Sequence, residues 1–375
     1  MASGNAGNSI AAWKAGCAGA PRQLFYVSGH CPAEHWQPQL EAAQQTGEPV
    51  LVLTERGASP SLPASLPPSL PTNCLSVEAA PQEWLRRELA DPNYTRISVW
   101  LRRCHAQRLP ADPRLTCAYF MPEDREVLYA STHAWMKDCP PRADMSRGYV
   151  WSIHPEYDIY VRDLASGAER ALTSGWGYDA EATVAPEGDR IVFTSTRSGD
   201  LELWTCALDG SDLRQVTSAV GYDGGAFFSH DGDWLVFRST AFTPGKEESE
   251  MADYKQLLAQ WLVRPSRMEI MLIRPDGSER RQLTHLGRAS FAPFFHPDDD
   301  RVIFSTNAFD PTREGRDFDL ASVPVEGGAP ERITHYAGFD GFPMFSPDGK
   351  WLVFASNRGG THARETNLFV ARWKD

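Results

Sequence analysis

Through the last two thirds of the chain, apolar residues come in runs of about five or six, each closed by a turn of Asp, Gly or Pro. That length and spacing fit short strands better than helices. Residues 338–360, GFDGFPMFSPDGKWLVFASNRGG, show the unit: two apolar stretches joined by an acidic-Gly turn, the pattern of a β-hairpin. The turn recurs as Pro186-Glu187-Gly188-Asp189, His230-Asp231-Gly232-Asp233 and Pro297-Asp298-Asp299-Asp300, each followed by an apolar run ending in an aromatic residue and then Ser or Thr. Five copies begin at Thr116, Tyr178, Tyr222, Ser290 and Phe339. Third strands are predicted from Leu201, Glu269 and Phe318. A second turn follows at Leu208-Asp209-Gly210, Pro275-Asp276-Gly277 and Glu326-Gly327-Gly328. Fourth strands then end in Gln215-Val216-Thr217, Gln282-Leu283-Thr284 and Arg332-Ile333-Thr334. Four such strands cannot bury both faces of their sheet alone, so the copies must stack as propeller blades.

The pattern F-S-P-D-G-K, an apolar run, then Ser, with Asp-Gly-Ser and Arg-Gln-Leu-Thr downstream, resembles the WD40-like repeats of TolB-type β-propellers. The resemblance covers residues 114–375 and implies an all-β, six-bladed propeller of four-stranded antiparallel blades. Residues 1–21 are then a tail and 22–375 a single propeller domain, with 22–110 a degenerate first blade and 114–375 five clear repeats. In that blade Ala33-Glu34-His35-Trp36 stands where Ala180-Glu181-Ala182-Thr183 stands later, and residues 50–54 match 351–355. The competing reading makes the strands near Leu24 and Val50 part of a small α/β unit appended to five blades. Closure favours six, because the chain ends on a third strand, 367–372, and the strand at Gln23 is available as its fourth. The family is typically periplasmic, and similar propellers occur fused to serine peptidase domains. Only eight residues follow Asn367, so prolyl-peptidase activity is not expected.

A helical insertion is expected near 244–264, where Met251, Tyr254, Leu257, Leu258, Trp261 and Leu262 recur at helical spacing. It docks on the propeller's own rim, or else serves as a lid or partner-binding helix.

Net charge is −12, from 49 acidic against 37 basic residues, which disfavours nucleic acid and anionic membranes. No apolar run is long enough to span a bilayer, and residues 1–23 lack the apolar core of a secretory signal, which leaves a cytoplasmic location open beside the periplasmic one. The seven cysteines show no metal-type spacing. Asn93-Tyr94-Thr95 is a glycosylation triplet that matters only in a eukaryotic secretory path. The chain has no G-x-S-x-G elbow, H-E-x-x-H, G-x-G-x-x-G or P-loop.

Asp179, Glu181, Asp223 and Asp340 precede or begin the first strands of their blades, with Glu34 and His35 the degenerate counterpart. Around a ring they would gather carboxylates at one mouth of the channel, suited to a cationic peptide group or a divalent cation such as Ca²⁺ or Mn²⁺; otherwise no cofactor is expected. The plainer alternative has each Asp capping its own turn. His133 and His154 join Asp179, Asp223 and Asp340 as metal candidates, because oligogalacturonate lyases, a related propeller group, bind metal through histidines. Surface-loop roles for both histidines are the competing reading. Arg197, Arg238, Asn307, Asn357 and Arg358 are expected to tie adjacent blades together. The favoured function is a monomeric, non-catalytic scaffold for a peptide or protein at one channel mouth. A metal-dependent lyase or hydrolase is the runner-up, and a structural module of a larger assembly the third reading.

Overall fold

The structure is a computed structural model. It describes the strand backbones at 22–27, 50–55, 74–79 and 94–100, and residues 116–374 apart from 123–124, 138–139, 142, 145, 147, 313–314 and 360–364. Residues 1–111 and 112–375 form two units. The first holds β1 (Arg22–Val27), β2 (Val50–Glu55), β3 (Cys74–Ala79) and β4 (Tyr94–Trp100) in the order β3-β2-β1-β4. All three pairings are parallel. A blade's strands run antiparallel, so this sheet has the pairing of an α/β unit instead of the degenerate blade expected over 22–110. The strand at Gln23 is flanked on both sides, by Val50 and Arg96, and is not the closing strand expected for the last blade.

The second unit is a β-propeller whose blades are counted at five among the described residues, against six expected. The first blade is β5 (Thr116–Phe120) and β6 (Glu126–Ser131), then, after an insertion carrying the short β7 (Trp151–Ser152), β8 (Asp158–Asp163) and β9 (Glu169–Ala171). The second is β10 (Asp179–Val184), β11 (Arg190–Ser195), β12 (Glu202–Ala207) and β13 (Arg214–Gln215). The third has β14 (Asp223–Phe228) and β15 (Leu235–Thr240), an insertion with helix α1 (Glu247–Leu258) and β16 (Leu262–Val263), then β17 (Met268–Ile273) and β18 (Arg281–Gln282). The fourth is β19 (Ser290–Phe295), β20 (Arg301–Thr306), β21 (Asp319–Pro324) and β22 (Glu331–Arg332). The last is β23 (Asp340–Phe345), β24 (Trp351–Ser356) and β25 (Asn367–Arg372). Every pairing within a blade is antiparallel.

The repeated turn residues have repeated jobs. Ser346 donates to Asp348 at 2.6 Å and accepts the Trp351 N–H at 3.0 Å, and Ser229 does the same with Asp231 and Trp234 at 2.6 and 2.9 Å. The hairpin is thereby closed by its own side chains. At the second turn Asp209 and Asp276 each accept the N–H of the Ser two residues on, both at 2.9 Å. The Thr ending each fourth-strand segment reaches back across the sheet. Thr173, Thr217, Thr284 and Thr334 accept the N–H of Ile159, Leu203, Ile270 and Leu320, each at 2.9 Å. Thr217 and Thr284 also donate to carboxylates at the start of the third strands, Glu202, the first residue of β12, and Glu269, the second of β17. Thr217 is buried, so Thr217→Val leaves both the Leu203 N–H and Glu202 short of a partner. A loss of about 1 to 3 kcal/mol in denaturant unfolding is expected. An unchanged midpoint would mean the clip is decorative.

Apolar faces of neighbouring blades pack together, with Phe193 from one face, Phe237 and Leu235 from the next and Phe304 and Val302 beyond, all at most 1% exposed. Inner strands carry a bulge at one shared place, marked by register shifts in all five hairpins. There Cys117, Glu181, Ala292 and Phe342 hold φ of 52, 58, 52 and 55°, and Gly225 holds 62°. Four non-glycine residues in the left-handed region are costly, and such bulges re-aim the side chain they carry.

Helix α1 lies inside the 244–264 span expected for it, but Trp261 and Leu262 fall beyond its end. Tyr254 and Leu257 are its buried residues, and the Tyr254 hydroxyl donates to Asp200 of the second blade. Asp200 also accepts the Leu201 and Gly221 N–H groups, at 2.8 and 3.1 Å. Burial, with Asp200 beside it, pushes the Tyr254 phenol up, keeping it protonated as the donor. The helix is therefore docked on the propeller, as the plainer expectation had it.

Candidate binding mouth at the propeller centre

The five inner strands neighbour one another in chain order, β5 to β10 to β14 to β19 to β23. Thr183 donates to the Ala226 carbonyl at 2.8 Å and Ser305 to the Asp340 carbonyl at 2.7 Å, tying adjacent blades at the centre. The first residues of three inner strands are the carboxylates singled out from sequence. Asp179 is 8% exposed, Asp223 1% and Asp340 0%, too deep to remain unpaired.

Each takes an arginine. Arg197 binds Asp179 at 2.8 Å while its Nε donates to Ser195 at 2.8 Å, and Arg358 repeats the arrangement with Asp340 and Ser356. In the third blade Ala241 occupies the place of those arginines, and Arg280 reaches Asp223 instead, with Nη1 and Nη2 at 2.6 and 3.1 Å from its two oxygens. Burial pushes the Asp223 carboxyl up, against Arg280 holding it down. Among the described residues, then, each of these aspartates is the partner of an arginine. Among the described residues no three His, Cys, Asp or Glu side chains are placed to share a metal ion.

Glu181 differs, because its left-handed backbone turns it toward the third blade. It accepts from Arg238 at 2.5 Å, from Thr194 at 2.9 Å and from the Gly225 N–H at 3.0 Å. Arg238 is 6% exposed, and its Nη2 also reaches the Tyr222 hydroxyl at 2.6 Å. Burial works to lower the guanidinium's pKa, and Glu181 outweighs it, so the guanidinium stays charged. Of the residues expected to bridge blades, Arg238 does so. Arg197 and Arg358 stay within their own blades, and Asn307 and Asn357 accept the N–H of Ala289 and Phe339 at 3.0 and 2.9 Å, again within one hairpin.

The remaining metal candidates lie elsewhere. His133 occupies the Arg197 position of the first blade, with Nδ1 2.9 Å from Ser131 Oγ and Nε2 3.0 Å from Glu169. His154 lies near Tyr157, ring centroids 6.2 Å apart. Glu34 and His35 lie outside the described residues.

Aromatic side chains complete the mouth, and nothing in the sequence signalled their meeting. Insertions of the first and third blades pair as β7 with β16, and Ile153 N–H donates to the Trp261 carbonyl at 2.8 Å. This clasp carries Trp151 inward, with the Arg238 guanidinium 5.7 Å from its ring and Phe291 of the fourth blade 6.3 Å away, edge to face. Phe291 in turn lies 5.0 Å from Phe318 and 6.0 Å from Phe342, and Phe339 lies 6.1 Å from Phe342. Phe342, on the left-handed bulge, is 59% exposed. The result is an aromatic surface bordered by a neutralised ion pair.

No family model matches this chain. An uncharacterized protein of Agrobacterium fabrum is 36% identical over 83 residues, which cover 22% of this chain and 27% of that protein. The chain thus spans about a quarter of that relative's length. Among solved structures, the putative TolB from Agrobacterium tumefaciens is similar at a TM-score of 0.41 and 16% identity, covering 70% of this chain and 91% of that one. TolB from Acinetobacter baumannii is similar at 0.46 and 13% identity, covering 94% and 80%.

Proposed function

We propose that this propeller is a non-catalytic scaffold that takes a peptide or protein segment at the mouth formed by Trp151, Phe291, Phe318 and Phe342. The supporting observation is the exposed Phe342 ring in contact with Phe291 and Phe339 beside the buried Glu181–Arg238 pair. A large exposed aromatic ring held on a strained backbone position costs stability, and such clusters are the usual anchors of protein interfaces. The carboxylates here are occupied by arginines, and the rings supply apolar area, so the ligand expected is a segment with one or two apolar side chains. No helix among the described residues is long and apolar enough to cross a membrane.

The reading is tested by selecting binders from a displayed random heptapeptide library against the full chain and titrating the winners by calorimetry. Phe342→Ala and Trp151→Ala should each weaken them about tenfold or more, the scale of an aromatic anchor. Winners that bind both variants as tightly as the parent would place recognition elsewhere.

A further inference from the structure

Next to the same clasp, at Trp261, lies a second aromatic surface that the mouth does not use. The connection between the first two blades is Ser174-Gly175-Trp176-Gly177, and both glycines hold positive φ, 142 and 147°. A side chain at Gly177 would in addition meet Thr196 Oγ1 at 3.2 Å, so glycine keeps this loop tight and presents the indole outward. Trp176 is 63% exposed, and Trp135, from the first-blade insertion, is 48% exposed. The Trp135 indole is not loose, because its Nε1 donates to Asp158 at 2.7 Å. Trp261, third of the set, ends the helical insertion at a φ of 58°.

The three indoles meet in sequence, edge to face. Trp135 and Trp176 are 6.0 Å apart at 79°, and Trp176 and Trp261 are 6.4 Å apart at 89°. Rings set at right angles make a corner, whose walls offer the negative faces of their quadrupoles. Beside it lies a cavity of about 380 Å³ lined by Trp261, Leu258, Asp200 and Lys255, large enough for one extended side chain. Trp261 is half-buried against the core, whereas burying Trp135 and Trp176 as well would be favourable, so leaving those two fixed and exposed needs a reason.

We propose that this corner docks an arginine side chain of a partner peptide. Charge complementarity sets the choice: a chain of net charge −12 attracts basic segments, and a planar guanidinium stacks on indole faces better than any neutral group. Asp200 supplies a carboxylate at the cavity, and Lys255 is the local base that opposes the guanidinium.

The test uses the full chain and two probes, acetyl-Gly-Arg-Gly-amide and its citrulline isostere, read by tryptophan fluorescence and calorimetry. The arginine probe should saturate, and the citrulline probe should bind about tenfold more weakly, with Trp176→Ala costing a similar factor. Trp176 is on the surface, and an unchanged melting temperature shows that the variant is folded. Lys255→Glu should tighten arginine binding severalfold, an outcome that damage to the fold cannot mimic. Equal binding of both probes, a Trp176→Ala variant that binds normally, or no saturation would each overturn the assignment. A neutral oligosaccharide that binds where the arginine probe does not would replace it.

Discussion

Replacing Arg238 with Met is expected to be the most damaging single change in the propeller, costing about 3 to 5 kcal/mol. Arg238 is 6% exposed, and its guanidinium joins Glu181 of the second blade to Tyr222 and the third. Its removal strands Glu181, which keeps only Thr194 and the Gly225 N–H as partners in a poorly solvated place. Breaking one side of a buried pair costs far more than the pair contributes net, because the survivor's desolvation is left unbalanced. Glu181→Gln in the Arg238→Met background should therefore restore more than half of the loss, a rescue that loss of packing alone would not allow. Denaturant unfolding of the four proteins in the cycle measures it. If Arg238→Met loses less than about 1 kcal/mol, or the second substitution restores nothing, the ion pair is not what joins these two blades.

Stability of Glu202→Gln relative to the parent should rise steadily with pH. Glu202 opens the third strand of the second blade, is 2% exposed, and takes the Thr217 hydroxyl. Burial, reinforced by the Asp223 and Asp200 carboxylates, pushes it from the ordinary 4.5 up to about 8, with Thr217 pulling the other way. Its folded pKa is raised, so the stability it contributes is fully present below about pH 4.5 and is lost as pH rises through about 8. Gln has the shape of the protonated acid and does not titrate. The variant should thus match the parent near pH 4.5 and exceed it by about 2 to 4 kcal/mol above pH 8. Turn carboxylates such as Asp163, Asp209 and Asp276, lowered first of all by their serine hydrogen bonds, have the opposite pH dependence in both proteins. The difference between variant and parent cancels them. A pH-independent difference would show that Glu202 ionises normally.

The hairpins, the second turns and the fourth-strand threonines were legible because their causes are local: a Ser-x-Asp turn or a Thr clip is written within one repeat. The same repetition placed Asp179, Asp223 and Asp340 at equivalent positions, but not their partners. Arg280 replaces an absent arginine at Ala241 from another part of the blade, and only the folded path of the chain brings it to Asp223. Glu181 could be read as one more inner carboxylate, whereas its left-handed φ of 58° sends it to a different blade. Trp151 carried no signal at all, since its place depends on the pairing of two insertions about 110 residues apart.

Sequence by itself determined the strand content, the turn chemistry and the stacking of repeats into a propeller, because side-chain alternation and turn preference act over a few residues. Tertiary structure decided the direction of strand pairing in residues 22–100, since alternation looks the same in parallel and antiparallel sheets. It also decided which charges pair and which aromatic rings meet at the centre. Those contacts join residues far apart in the chain, and their energies depend on the burial that only the assembled blades create.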